Sequence, residues 1–174
     1  MVLVFAAAVG NAWGDEVPID WTYSGSWTDT VVDRNLDGTT ANEFHIWTKG
    51  GPGRAALNGI FEVIVLGPTD ECPYPLLGTE LIYSIWVGRF DNGDLLFARS
   101  AGDSAGCIDP VTGTASGRLE YEIIGGTGKY RGATGSYVDH ITHIYLLTNL
   151  DPLNPISFAA SFGHAEGTIY TVDD

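Results

Sequence analysis

Apolar residues along this chain come in short runs that glycine and proline interrupt, rich in β-branched and aromatic side chains and without a stripe at helical spacing. Even the longest stretch free of both breakers, SYVDHITHIYLLTNLD from Ser136 to Asp151, reads as a strand. The pattern places strands at residues 19–28, 43–49, 59–66, 79–90, 94–101, 117–124, 136–148 and 156–171, and no helix. Eight strands joined by short turns predict an all-β fold, an antiparallel barrel or a sandwich.

One hairpin can be specified further. In RFDNGDLLFARS, Asn92-Gly93 is a strong signal for a two-residue type I′ turn. That turn sets Asp91 opposite Asp94, Phe90 opposite Leu95, Gly88 opposite Phe97 and Trp86 opposite Arg99. Trp86, Gly88, Phe90, Leu95, Phe97 and Arg99 then share one face, and Tyr83, Ile85, Val87, Leu96 and Ala98 the other. Both faces are largely apolar and no helix is predicted to cover either, so a second copy of the chain is the expected cover and a homo-oligomer is predicted.

Length and charge narrow the partners. A chain of 174 residues fits one domain with a sizeable core, and 44% hydrophobic against 17% charged residues argues for a globular fold despite a net charge of -14. Eight Lys and Arg scattered among 22 acidic residues build no basic stripe, which argues against nucleic acid and anionic membrane surfaces as partners. At the N-terminus, Val2 to Val9 is an apolar run of eight, followed by small residues at Ala12 and Gly14. It is too short to span a bilayer and resembles the end of a secretory signal, with a buried first strand as the alternative. We therefore expect residues 1–14 to be a signal remnant, residues 15–174 to be a single domain, and the protein to be secreted or periplasmic. Export makes a Cys72–Cys107 disulfide the natural pairing, the alternative being two unpaired thiols. With no third cysteine and no CxxC, zinc and redox roles find no support.

The stretch IIGGTGKYRGATGS, Ile123 to Ser136, invites comparison with a phosphate cradle. The Walker pattern fails at Ile123 and Tyr130, GxGxxG fails at Arg131, and a strand follows where both motifs need a helix. The glycines are better read as a tight corner between strands, with Tyr130 packed over it. GGTGKYRGATGS resembles the glycine-rich strand corner of allene oxide cyclase and dirigent proteins, and RLEYEII and YVDHITHIYLL look like its flanking strands. The match covers about thirty residues and is closest to exported bacterial members of unknown role. The resemblance implies an eight-stranded antiparallel β-barrel, often trimeric, whose lumen binds apolar small molecules. None of the plant enzymes' functional residues can be placed on this sequence.

Candidate chemistry lies in polar residues stranded among apolar ones. Glu62 in GIFEVIVL would have a raised pKa suited to general acid or base work if it faced the lumen, with Arg99 as counterion; otherwise it is an outward Glu on an alternating strand. Arg99 could anchor a ligand oxygen or stack on Trp86. Trp86, Phe90 and Phe97 are the expected ligand-binding surface. His140 and His143 point to opposite faces of one strand and cannot form a metal pair there, whereas Asp139 and His143 share a face. His45 and His164 are isolated. In DRNLDGTTANEF, Asp33, Asn35, Asp37 and Gly38 match the first half of a calcium loop, but Phe44 stands where the closing Glu belongs and Glu43 lies one residue early. A looser calcium cage of Asp33, Asn35, Asp37 and Glu43 and an ordinary polar turn both stay open, and no other cofactor is expected. The expected function is binding of an apolar small molecule in the lumen. A cyclase or isomerase using Glu62 and Arg99, and a structural protein with a filled barrel, are the alternatives.

Overall fold

The computed structural model describes residues 14–30, 41–149 and 156–172. They form nine strand segments: β1 (Glu16–Asp29), β2 (Asn42–Gly51), β3 (Ala55–Gly67), β4 (Leu77–Phe90), β5 (Leu95–Ser100), β6 (Ala105–Asp109), β7 (Thr114–Gly126), β8 (Thr134–Asn149) and β9 (Ile156–Tyr170). All pairings are antiparallel, in the order β3, β2, β1, β9, β8, β7, β5, β4, and β3 pairs with β4 to close the ring. β5 and β6 both lie between β4 and β7. They are two halves of one stave, interrupted at residues 101–104, so the fold is an eight-stranded antiparallel barrel. Among the described residues, closure leaves no free sheet edge. β6 escapes prediction because AGDSAGC offers small and polar residues in place of a hydrophobic run, and Gly102 there takes a positive φ of 62°.

Alternation along the strands sends aromatic and aliphatic residues inward. At one end Ile19, Trp21, Phe90, Leu96, Ile123, Tyr130 and Ile169 are buried together and form the barrel floor. Trp21 packs against Trp86 and Phe90 with ring centroids 6.4 and 6.3 Å apart. The glycine-rich corner closes this end through a short 3-10 turn at Gly128–Tyr130, and the Tyr130 ring lies 4.7 Å from that of Phe90. Gly128 (φ 55°) and Gly132 (φ 68°) adopt backbone angles that side-chain-bearing residues avoid, which is why the corner is rich in glycine. Tyr130 packs over the corner as the sequence predicts.

The hairpin joining β4 to β5 differs from expectation by one residue. Phe90, not Asp91, closes the loop: its N–H donates to Asp94 O (3.0 Å), and Gly93 N–H donates to Phe90 O (2.9 Å). The loop is Asp91–Asn92–Gly93, with Gly93 at φ 90°, as in a three-residue turn ending in a bulge. Trp86 therefore faces Ala98, and Val87 faces Phe97. The slip turns every β5 side chain to the opposite face. Leu96 and Ala98 are fully buried inside, while Phe97 and Arg99 point out. The observed register keeps the guanidinium in water, whereas the predicted one would place it inside the barrel without a carboxylate opposite it.

At the other end of the barrel, a Cys72–Cys107 disulfide ties the β3–β4 connection to β6. No helix among the described residues is long and apolar enough to cross a membrane.

Candidate functional site

The barrel is hollow above its floor. A cavity of about 290 Å³ is walled by Trp21, Tyr23, Trp27, Phe44, Ile46, Leu57, Phe61, Trp86, Leu119, Tyr121, Tyr137, Ile141 and Tyr145, with Asp139, His143 and Ser161 among them. It extends to Asp29, Val65, Ile108 and Ser157 at the end opposite the floor. Val65 is 57% exposed, so the cavity reaches the surface there and has a mouth. The room comes largely from β9, whose successive positions on the inward side are Ala159, Ser161, Gly163, Ala165 and Gly167. Small residues on β6 and β7, Ala105, Gly106, Ala115 and Gly117, widen the mouth half in the same way.

Three polar groupings sit on this apolar wall. The Tyr23 hydroxyl donates to Asp139 Oδ1 at 2.8 Å. Tyr23 reaches β8 from β1 by crossing β9 at Gly163, where an added Cβ would lie 2.4 Å from the Tyr23 hydroxyl oxygen. Beside this pair, Tyr121 and Tyr137 stack with centroids 4.9 Å apart and planes 8° from parallel. The Trp86 indole N–H donates to the Tyr137 hydroxyl at 2.7 Å, and the Tyr121 hydroxyl donates to Ser84 Oγ at 3.2 Å. Nearer the mouth, His143 Nδ1 and Ser161 Oγ share a hydrogen bond of 2.9 Å.

Burial sets the protonation of these groups. It pushes the Asp139 carboxyl up to about 7, against the opposing pull of the Tyr23 hydrogen bond and of His164 across the wall. It lowers His143 to about 4, so the imidazole is neutral at physiological pH. The Tyr23, Tyr121 and Tyr137 hydroxyls are all driven upward, mainly by burial, and stay protonated. The site therefore offers neutral donors and acceptors and one carboxyl that exchanges its proton near neutrality. No lysine or arginine lines the cavity among the described residues.

The residues singled out from the sequence fall in different places. Trp86 lines the cavity. Phe90 lies below it in the floor, and Phe97 is turned outward by the hairpin register. Arg99 is exposed on the outside and pairs with Glu122, not with Trp86 or Glu62. Glu62 sits between Phe61 and Val63, which both line the cavity, and so takes the other face of β3. It is nevertheless only 3% exposed, and its Oε1 has no hydrogen-bond partner among the described residues. A catalytic Glu62–Arg99 pair in the lumen is thereby corrected: strand alternation turns the first residue away and the hairpin slip the second. Of the calcium-like loop, Asp33, Asn35 and Asp37 lie outside the described residues, while Glu43 is exposed with Oε1 3.3 Å from His45 Nε2. His164 pairs with Asp20 on the outside at 2.9 Å, and His140 is exposed while His143 faces the lumen.

The polar groups that do meet in the lumen are Tyr23, Tyr121, Tyr137, Asp139, His143 and Ser161; the sequence singles out none of them for chemistry and sets only Asp139 and His143 on a shared face. The clearest available signal was the alternation of tiny residues through AASFGHAEG in β9, which marks where a barrel wall leaves space.

No family model and no curated protein matches the chain. Among solved structures, the pterocarpan synthase dirigent protein PsPTS1 is similar at 14% identity and a TM-score of 0.49, over 93% of this chain and 99% of that one. The pterocarpan synthase dirigent protein GePTS1 is similar at 14% identity and a TM-score of 0.47, over 99% of this chain and 98% of that one. At this distance no residue role passes from either protein to this one, whose function is read from its own lumen.

Proposed function

We propose that this protein binds a small, largely apolar molecule inside its barrel. The observation that carries the reading is the cavity of about 290 Å³, with an aromatic and aliphatic wall and a few convergent polar groups. That volume lies at the lower end of the range for small-molecule sites, and the make-up of the wall is typical of them. The hollow interior also weighs against a purely structural barrel packed solid by side chains. The disulfide favours an oxidising compartment, in keeping with a secreted or periplasmic binding protein.

The test is displacement of a neutral fluorescent probe, N-phenylnaphthylamine. The wild-type protein should bind it, and Ala115→Phe, which fills the mouth half of the cavity, should weaken binding at least tenfold. Equal affinity in both would place the probe outside the lumen and overturn the reading.

A second reading, a cyclase or isomerase, is favoured by one feature. Asp139, held at about 7 and hydrogen-bonded to Tyr23, could lend or take a proton at neutral pH while a guest rearranges out of contact with bulk water. On this reading Asp139→Asn would lower turnover of a candidate epoxide about a hundredfold or more with little change in binding. Unchanged turnover would remove Asp139 from catalysis.

A further inference from the structure

Building on the reading of the lumen as a binding site, we infer that its guest is an elongated, uncharged molecule with a hydroxyl or carbonyl oxygen at each end. Two of the three polar groupings in the lumen, those of Asp139 and His143, are set apart along one strand. Asp139 and His143 lie four residues apart on the inward face of β8, a separation of about 13 Å at a rise of roughly 3.3 Å per residue. Ile141, the inward residue between them, is apolar.

At the deep station, Asp139 Oδ1 accepts the Tyr23 hydroxyl, which leaves the second carboxyl oxygen to meet a guest. At the outer station, Ser161 holds His143 through Nδ1 and leaves Nε2 for the guest. Trp27 stands edge-on to His143 with ring centroids 5.7 Å apart and lines the same stretch of wall. Among the described residues its buried indole N–H has no acceptor, in keeping with an oxygen that the guest supplies.

The charge of the guest follows from what the wall lacks. A carboxylate would enter without a lysine or arginine to meet it, and the acidic residues on the wall are Asp29 and Asp139. The outer imidazole is neutral, so it offers no counter-charge to either sign. The deep carboxyl, biased toward its protonated form by burial, already accepts the Tyr23 hydroxyl, and Asp29 stands at the mouth rather than at either station.

Four compounds on one ten-carbon chain separate the alternatives by displacement of N-phenylnaphthylamine at neutral pH: the terminal diol, the mono-alcohol, the terminal diacid and the terminal diamine. The diol should bind about fivefold or more tightly than the mono-alcohol, the gain from one further neutral hydrogen bond. Diacid and diamine should each bind at least tenfold more weakly than the diol. His143→Phe should bring the diol down to the level of the mono-alcohol. Ser161→Ala, a smaller change that frees the ring, should act in the same direction even if the first variant does not fold. Equal binding of diol and mono-alcohol overturns two-ended recognition while leaving the lumen a binding site. A diacid or diamine that matches the diol overturns neutrality. Failure of the probe and all four compounds to bind overturns the binding-site reading and this inference with it.

Discussion

The chemistry of the lumen depends on single atoms being absent at Gly163. A methyl group there would strike the Tyr23 hydroxyl oxygen and, equally close at 2.4 Å, the backbone oxygen of His140. Because backbone cannot swing aside as a side chain can, we expect Gly163→Ala to destabilise the protein by about 1–3 kcal/mol. It should also release Tyr23 from Asp139, a change readable in the titration of Asp139 by carboxyl-labelled NMR. Asp139 and His143 make a second prediction, because burial shifts them in opposite directions. Asp139 rises from 3.8 to about 7, so the folded state holds its proton more tightly than the unfolded one, and its contribution to stability is lost as pH climbs from about 4 to about 7. His143 falls from 6.5 to about 4, so its contribution is lost as pH drops across much the same window. The wild-type protein should therefore have a nearly flat stability profile between pH 4 and 6.5. Asp139→Asn should expose a profile that rises with pH, and His143→Phe one that falls, each by up to roughly 3–4 kcal/mol in urea unfolding. Parallel profiles in all three proteins would refute these burial effects.

At the scale of elements, the β4–β5 hairpin shows how little separates one register from another. Gly93 supplies the left-handed residue that a three-residue loop needs, so Gly93→Ala should cost about 1 kcal/mol in thermal or chemical unfolding. The eight staves were legible in the sequence because glycine and proline cut the chain at nearly every turn, leaving β-branched and aromatic runs between. The hairpin register was not, because Asn-Gly suits both the two-residue turn and the longer loop with its bulge. Local turn chemistry left that choice open, and burial of Leu96 and Ala98 with exposure of Arg99 settled it. The candidate site was less legible for the same reason. Tyr23 and Asp139 come from β1 and β8, which are far apart in sequence and not paired, and they meet across β9 only because Gly163 is bare. Glu62, conspicuous in sequence, was a misleading signal because its neighbours, not itself, take the inward positions.

For the whole molecule, closure of the barrel and the disulfide at its open end act together. Cys72 and Cys107 are 35 residues apart, and removing their link by paired serine substitutions should lower stability by roughly 3–4 kcal/mol on the chain-entropy model. The loss should appear as an earlier urea midpoint. The floor, by contrast, is held by aromatic packing around Trp21, which is almost fully buried; Trp21→Ala should cost about 3–5 kcal/mol. Between this closed floor and the tethered mouth lies the empty space on which the functional reading depends. The most direct test is methyl NMR of isoleucine-labelled protein titrated with N-phenylnaphthylamine. Ile46, Ile108 and Ile141 line the cavity, whereas Ile82, Ile124 and Ile144 are exposed on the barrel. Shifts confined to the first three are predicted. Shifts confined to the second three, or none at saturating probe, would contradict a lumen that admits a guest.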